Sequence, residues 1–172
     1  MKIKAVARHP WGMVITLRAF TSADLEWVCD CHGTLYAQAE GFDDSFGALV
    51  RQILTDFVAE HDADFERGFI AVDGEGRRLG SIFCVRHDAE TAKLRLFLLV
   101  PEARGRGIGR QLLEACTDYA RDCGYRRMTL WTHESHRAAC ALYARSGWSL
   151  LGSKDVVSFG QPLVEQHWER PL

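Results

Sequence analysis

Apolar residues fall along this chain in two alternating rhythms. Met13 to Phe20 alternates with period two and predicts a first strand. Thr21-Ser22-Ala23-Asp24 carries an N-cap signal and opens a helix through about Leu35. Gly41 to Ser45 breaks the pattern. A second helix is expected from about Phe46 to Glu60, with Leu49, Val50, Ile53, Leu54, Phe57 and Val58 on one face. Phe69 to Val72 and Leu79 to Arg86 follow as strands around the hairpin turn Asp73-Gly74-Glu75-Gly76. Ala92 to Val100 is a fourth strand whose end, Leu94 to Val100, is apolar enough to be buried. A third helix runs to Cys123, Arg127 to Thr132 is a fifth strand, and another helix spans the stretch around Tyr143. Trp148 to Leu151 opens a sixth strand, and Leu163 to Glu169 is a seventh. The order β, α, α, β, β, β, α, β, α, β, β predicts an α/β (α+β) fold, with a mixed, mostly antiparallel sheet of about seven strands flanked by helices.

The most informative stretch joins the fourth strand to the third helix. It reads Val100-Pro101-Glu102-Ala103-Arg104-Gly105-Arg106-Gly107-Ile108-Gly109-Arg110. Three alternate glycines permit a tight turn and close approach to a ligand. The first amides of the following helix have no partners within it, and they sit at the positive end of its dipole. With Arg104, Arg106 and Arg110, they make a phosphate cradle. A Walker loop is excluded because Gly109 precedes Arg110-Gln111 rather than Lys-Ser or Lys-Thr. A dinucleotide fingerprint is excluded by spacing, G-x-G-x-G instead of G-x-G-x-x-G.

Arg104-x-x-Gly107-x-Gly109 after x-V-P-E resembles the pyrophosphate-binding motif of the GNAT superfamily of N-acetyltransferases. His136 to Trp148, containing Ala139-Cys140-Ala141-Leu142-Tyr143 and Gly147-Trp148, is similar to the later helix of that superfamily. More narrowly, His32-Gly33-x-Leu35-Tyr36-Ala37, Trp131-Thr132 and Ser158-Phe159-Gly160 resemble the acetyltransferase half of fusions with MarR-type winged-helix regulators.

The resemblance implies an acetyltransferase using acetyl-CoA. Phe97, Leu98, Leu99 and Arg104, Gly105, Arg106, Gly107, Ile108, Gly109, Arg110 would bind the cofactor. His136 stands where relatives carry an asparagine at the helix start and joins that set. Tyr143 maps onto the usual general acid for the departing thiolate. The base is a departure, because Trp131 stands where some relatives place a glutamate; Glu134 is the candidate, with His133 and Glu40 nearby. The acceptor pocket is expected from the first two helices and their loop: Trp27, Tyr36, Glu40, Phe42 and Asp43. The acids there favour a small amine acceptor over a protein. The alternative is a module that binds or senses acyl-CoA without turnover.

Composition narrows the field little further. With 172 residues, one domain over 1–172 is expected. Hydrophobic content is 47%, charged content 26% and net charge −2, so no field recruits nucleic acid. No apolar run approaches the about 18 residues of a membrane span. Lys2, Lys4, Arg8 and Arg18, with no acid before Asp24, carry the bias of a presequence, but Pro10 and Gly12 interrupt any helix and a strand is preferred. Six cysteines without C-x-x-C spacing read as free thiols of a cytoplasmic protein. A homodimer is left open. No metal is expected: His133-Glu134-Ser135-His136 lacks H-E-x-x-H spacing, and in Cys29-Asp30-Cys31-His32 neighbours two apart on a helix diverge.

Overall fold

The computed structural model describes residues 7–8 and 14–172. Lys2, Lys4, Pro10, Gly12 and Met13, on which part of the reading above rests, lie outside the described residues. The elements are β1 (Ala7–Arg8), β2 (Val14–Ala19), α1 (Leu25–Glu40), α2 (Asp44–Glu60), β3 (Arg67–Val72), β4 (Arg78–Arg86), β5 (Thr91–Leu99), α3 (Ile108–Asp122), β6 (Arg127–His133), α4 (Arg137–Arg145), β7 (Ser149–Ser158) and β8 (Gln161–Pro171). The strands form one sheet in the order β1-β2-β3-β4-β5-β6-β8-β7. Seven correspond to the expected seven, and the two-residue β1 adds an edge. Every neighbouring pair is antiparallel except β5 with β6. No described helix is long and apolar enough to cross a membrane.

Period-two alternation sends successive side chains to opposite faces. Ile70 and Val72 of β3, with Phe83 of β4, pack under Val28 of α1 and Val50, Leu54 and Phe57 of α2. Ala71, Ile82 and Cys84 face the other way, onto Ile108, Leu112, Leu113 and Cys116 of α3. The sheet is thus sandwiched between α1–α2 and α3–α4.

Two boundaries differ from the sequence reading. The first helix continues past Leu35 to Glu40, where Gly41 at φ 70° supplies the left-handed cap. β7 extends to Ser158, well beyond Leu151. Its outer positions are mostly exposed, so burial periodicity could not mark its end.

Asp24, 1% exposed, fastens the α1 entrance to the sheet. Arg18 donates two bonds of 2.7 Å to its two oxygens, and Arg78 Nε donates another of 2.7 Å from 54 residues away. Thr21 N–H donates to the same carboxylate at 2.9 Å. Burial alone would raise the Asp24 carboxyl, but the bonds from Arg18 and Arg78 hold it well below the carboxylate range. His32 is a buried titratable group of α1. Burial pushes it down to about 4, against the pull of its bond to Val28 O at 2.8 Å.

Both groups make stability pH-dependent. His32 has a folded value below the unfolded ~6.5, so the unfolded chain binds more protons and stability falls as pH drops from about 6.5 towards 4. Asp24 has a depressed folded value, so its contribution is full above about pH 4 and is lost only in stronger acid. Urea denaturation between pH 7 and 4.5 is expected to show this loss. Asp24→Asn leaves two arginines without their shared carboxylate and is expected to cost about 2–4 kcal/mol at pH 7. An unchanged denaturation midpoint in that variant would refute the anchoring role.

Candidate functional site

The site begins with a break in the alternation of β5. Ala92 and Leu94 face the α3 core, so Leu96 would be expected beside them. Instead Leu96 packs with the α1–α2 core, and Phe97 and Leu99 take the α3 side. The cause is a β-bulge. Leu96 adopts φ 49°, and the register with β4 shifts between Ser81 and Phe83. A left-handed non-glycine residue costs on the order of 1–2 kcal/mol. The hydroxyl of Ser81, 0% exposed, donates to Leu96 O at 2.8 Å and helps hold the distortion.

The bulge also ends the pairing of β5 with β6. The two strands pair only at Thr91–Lys93 with Arg127–Thr129. Beyond Lys93 they splay, and the β6-facing edge of β5 at Phe97, Leu98 and Leu99 has no strand partner among the described residues. β6 continues to His133 on β8.

A cleft of about 420 Å³ occupies the splay. Phe97, Leu98 and Leu99 form one wall, and Leu35, Tyr36, Ala39 and Glu40 of α1 another. Arg104, Gly105 and Gly109 lie at one end, and Ser135 to Ala139 with Leu142 close the side. Gly105 and Gly107 have φ 70° and 74°, a conformation the alternate glycines permit. α3 starts at Ile108, and its first helical bond runs from Gln111 N to Gly107 O at 3.1 Å. The amides before Gln111 have no carbonyl within the helix. No acid sits in the first turn of α3 to compete for them. Gly109 is bare where the helix crosses β5: a Cβ there would meet Leu99 Cδ1 at 3.1 Å and Phe97 Cζ at 3.5 Å.

The arginines are less uniform than expected. Arg104 lines the cleft and bonds Leu99 O at 3.4 Å. Arg110 is tied to Glu114 at 2.7 Å along the exposed face of α3.

Across the cleft, Glu40 Oε1 lies 3.6 Å from His136 Nε2, too long for a hydrogen bond. Burial pushes His136 down to about 4, further than Glu40 pulls it up. His136 is therefore neutral near pH 7, and its buried Nε2 lacks a hydrogen-bond partner. Its Nδ1 lies 3.2 Å from the Thr132 hydroxyl. Tyr36 stacks edge-on against His136 with ring centroids 5.0 Å apart. Burial pushes the Tyr36 hydroxyl up to about 12, with Glu40 adding to the shift.

Other expected residues lie elsewhere. Tyr143 is 3% exposed and does not line the cleft, with ring centroids 6.2 Å from Phe97, 5.8 Å from Trp148 and 6.1 Å from Trp168. Burial raises its hydroxyl well above the phenol range, with Tyr36 adding to it. Glu134 is exposed at the turn after β6 and does not line the cleft; the carboxylate in the cleft is Glu40. Trp27 is also outside the cleft and lies under the Arg78 guanidinium, 5.9 Å from its ring centroid. Phe42, 4% exposed, packs with Tyr36, Phe46, His133 and Phe159 as part of an aromatic wall. Asp43 does structural work. It caps α2 by accepting from Ser45 N at 3.0 Å and from the Ser45 hydroxyl. The expected acidic acceptor loop is thus reduced to Glu40.

Sequence reasoning missed Ser81 and Leu96. Leu96 sits in an apolar run whose composition gives no sign of a bulge. Among the described residues no cluster of three or more metal-ligating side chains occurs.

Known proteins match this architecture. Residues 26–148 match the acetyltransferase (GNAT) family. The chain is similar to a mycothiol acetyltransferase of Beutenbergia cavernae, 35% identical over 77 residues, 45% of this chain and 26% of that protein. It spans between a quarter and about two-fifths of the length of the curated relatives it matches. Among solved structures, a phosphinothricin acetyltransferase from Sinorhizobium meliloti in complex with AcCoA superposes with a TM-score of 0.73 at 22% identity, over 92% of this chain and 88% of that one. A spermidine N-acetyltransferase from Vibrio cholerae in complex with CoA and spermine gives 0.71 at 19%, over 91% and 95%. The family match covers well over half of the sequence, and the chain belongs to the GNAT family of acetyltransferases.

Proposed function

We propose that this chain is an N-acetyltransferase that moves an acetyl group from acetyl-CoA to the primary amine of a small acceptor. The observation that carries this reading is the cleft running from the unpaired amides of α3 along the open edge of β5 to Glu40 and His136. Its two ends differ as the donor's two ends differ. Left-handed glycines and free amides suit a pyrophosphate. The unpaired strand edge suits an amide-rich pantetheine arm, because backbone recognises backbone. A cavity of about 420 Å³ lined by Leu35, Phe97, Leu98 and Leu99 suits its apolar parts.

Acetyl-CoA, when bound, supplies an activated acyl carbon. The residues of the chain do the rest. Backbone from Gly105 to Arg110, with the Arg104 guanidinium, holds phosphate oxygens. Phe97, Leu98 and Leu99 orient the thioester, and a free amide on that edge stabilises charge developing on its carbonyl oxygen. His136 lines the pantetheine path. Glu40, rather than Glu134, takes the proton from the attacking amine directly or through water. The amine nitrogen bonds to the acetyl carbon, the carbon–sulfur bond breaks, nitrogen gives up one proton and sulfur receives one. Tyr143 is assigned as donor of the latter proton. Its raised value keeps the proton in place at neutral pH but makes its release harder, so positioning carries the acid role.

One observation favours a second reading, a module that binds acyl-CoA without turnover: Tyr143 is buried rather than lining the cleft. A single pair of measurements separates the two. Tyr143→Phe is expected to lower kcat about 10²–10⁴-fold while leaving acetyl-CoA affinity nearly unchanged. Wild-type turnover in that variant would make Tyr143 a core aromatic, and absence of turnover in the unmodified chain across an amine panel would favour the module.

The cradle has its own test. Gly107→Glu places a carboxylate among the amides and strains a left-handed position. No atom lies within 4 Å of its Cβ, so the fold is expected to tolerate the change at a cost of about 1–2 kcal/mol. Calorimetry is expected to show at least a tenfold weaker affinity for coenzyme A. Unchanged affinity in the folded variant would remove the cradle from the donor site.

A further inference from the structure

A second cavity, of about 290 Å³, lies on the α2 side of the sheet. Its wall includes Phe83 of β4, the end of α2, and Arg95 and Leu96 of β5. The bulge gives both cavities a common partition. Phe97 turns to the donor cleft, while the preceding Arg95 and Leu96 turn to this one.

Arg95 is the unusual group here. It is partly buried, yet it makes no hydrogen bond or ion pair among the described residues. Burial pushes its guanidinium below the ordinary value, and no neighbouring acid offsets this. A half-desolvated, unpaired cation is costly. The acids of the cavity are committed or peripheral. Glu66 accepts from Asp62 N and Arg86 N, both at 2.9 Å. Asp56 accepts from Gln52 Nε2 at 2.7 Å, and Glu60 is exposed at the rim. The second cation on this wall, Arg86, already has partners: Asp62 at 3.7 Å and the Phe65 ring at 4.2 Å. Two residues before Arg95 on the same face, Lys93 lies 4.2 Å over the Trp131 ring. The strand therefore presents cations up to the bulge, and only the guanidinium beside the bulge lacks a partner.

We propose that this cavity holds the acceptor's carboxylate while its amine faces the donor cleft across the bulge, and that Arg95 thereby selects acceptors that carry a carboxylate close to the amine, as free amino acids do. The inference rests on the donor reading given above. A guanidinium presents a planar fork that matches a carboxylate. A strand advances about 3.3 Å per residue, so Arg95 is anchored about 7 Å along the chain from Phe97. That spacing suits a molecule whose anionic group is a few bonds from the reacting nitrogen, and an acceptor of this kind would give Arg95 the partner that the chain withholds. The transfer itself is unchanged: nitrogen–carbon bond made, carbon–sulfur bond broken, one proton from nitrogen and one to sulfur.

The test uses matched pairs that differ only in the carboxylate: tyrosine and tyramine, histidine and histamine, lysine and cadaverine, arginine and agmatine. Acetylated product and released thiol are measured for the unmodified chain, Arg95→Gln and Arg95→Lys. The carboxylated member of at least one pair is expected to be preferred by about 10- to 100-fold in kcat/KM. In Arg95→Gln that ratio is expected to fall towards one through a higher KM for the amino acid, and Arg95→Lys is expected to keep part of it. Calorimetric binding of coenzyme A shows that each variant is folded. Preference for the decarboxylated members overturns the proposal. So does an unchanged ratio in Arg95→Gln, or failure to acetylate any amino acid by a chain that binds acetyl-CoA. A chain that binds no acetyl-CoA refutes the donor reading, and the present inference with it.

Discussion

The bulge at Leu96 is the distortion on which the rest of the site depends. A regular β5 would keep Leu96 beside Leu94 on the α3 face and continue alongside β6. Its edge would then be satisfied by β6, and the splay would close. The left-handed Leu96 spends on the order of 1–2 kcal/mol of backbone strain to prevent this. The return is threefold. It leaves backbone groups unpaired at Phe97 to Leu99, turns Phe97 towards one cavity, and leaves Arg95 facing the other. Ser81 explains part of how the strain is held, since its buried hydroxyl has no better partner than Leu96 O. Pairing on both flanks, β4 along most of its length and β6 at Thr91–Lys93, confines the distortion to one point.

The second constraint is electrostatic. The N-terminus of α3 brings unsatisfied amides to the end of the cleft, and the local sequence leaves them exposed. Gly107 at the cap has no side chain to accept from them, and the first turn contains no acid. A serine or aspartate at that position would have capped the helix and satisfied those amides itself. α3 gives up about 1 kcal/mol of capping. Its buried face offsets that loss, with Ile108, Leu112, Leu113 and Cys116 almost fully enclosed. Arg110 contributes less than its place in the motif suggests, because Glu114 already holds it along the helix.

Those two features differ in how far the sequence discloses them. The glycine turn before α3 was legible because it is local: glycine spacing, a strand before and a helix after fix the conformation within a few residues. Strand and helix order was legible for the same reason, through periodicity. The bulge was not, since Leu94 to Val100 is apolar except for Arg95 and reads as one buried strand, and the switch of face depends on β4 and on two cores. Asp24 was read as a capping residue only. Its tie to Arg78 spans 54 positions and has no sequence signature. Trp27, Asp43 and Glu134 were assigned by proximity along the chain to the right segments. A helix advances about 100° per residue, however, and of the expected residues on α1 only Tyr36 and Glu40 line the cleft.

The charge pattern around the splay follows from the same geometry. Acids gathered in the α1–α2 loop look in sequence like an attraction for cations. In the structure Asp43 is used up in capping α2, and Glu40 faces a histidine that burial keeps neutral. A neutral His136 matters for what the cleft can do. Were it charged, it would form an ion pair with Glu40. Kept neutral by desolvation, it leaves the Glu40 carboxylate uncompensated in the cleft, and its own Nε2 makes no hydrogen bond among the described residues. The other side of the bulge has the opposite balance, a guanidinium without a partner among the described residues and acids that are bonded elsewhere or exposed at the rim. One strand, through a single residue out of phase, separates an acid-bearing cleft from a cation-bearing one. A molecule carrying both an amine and an anion has to span that partition to satisfy both.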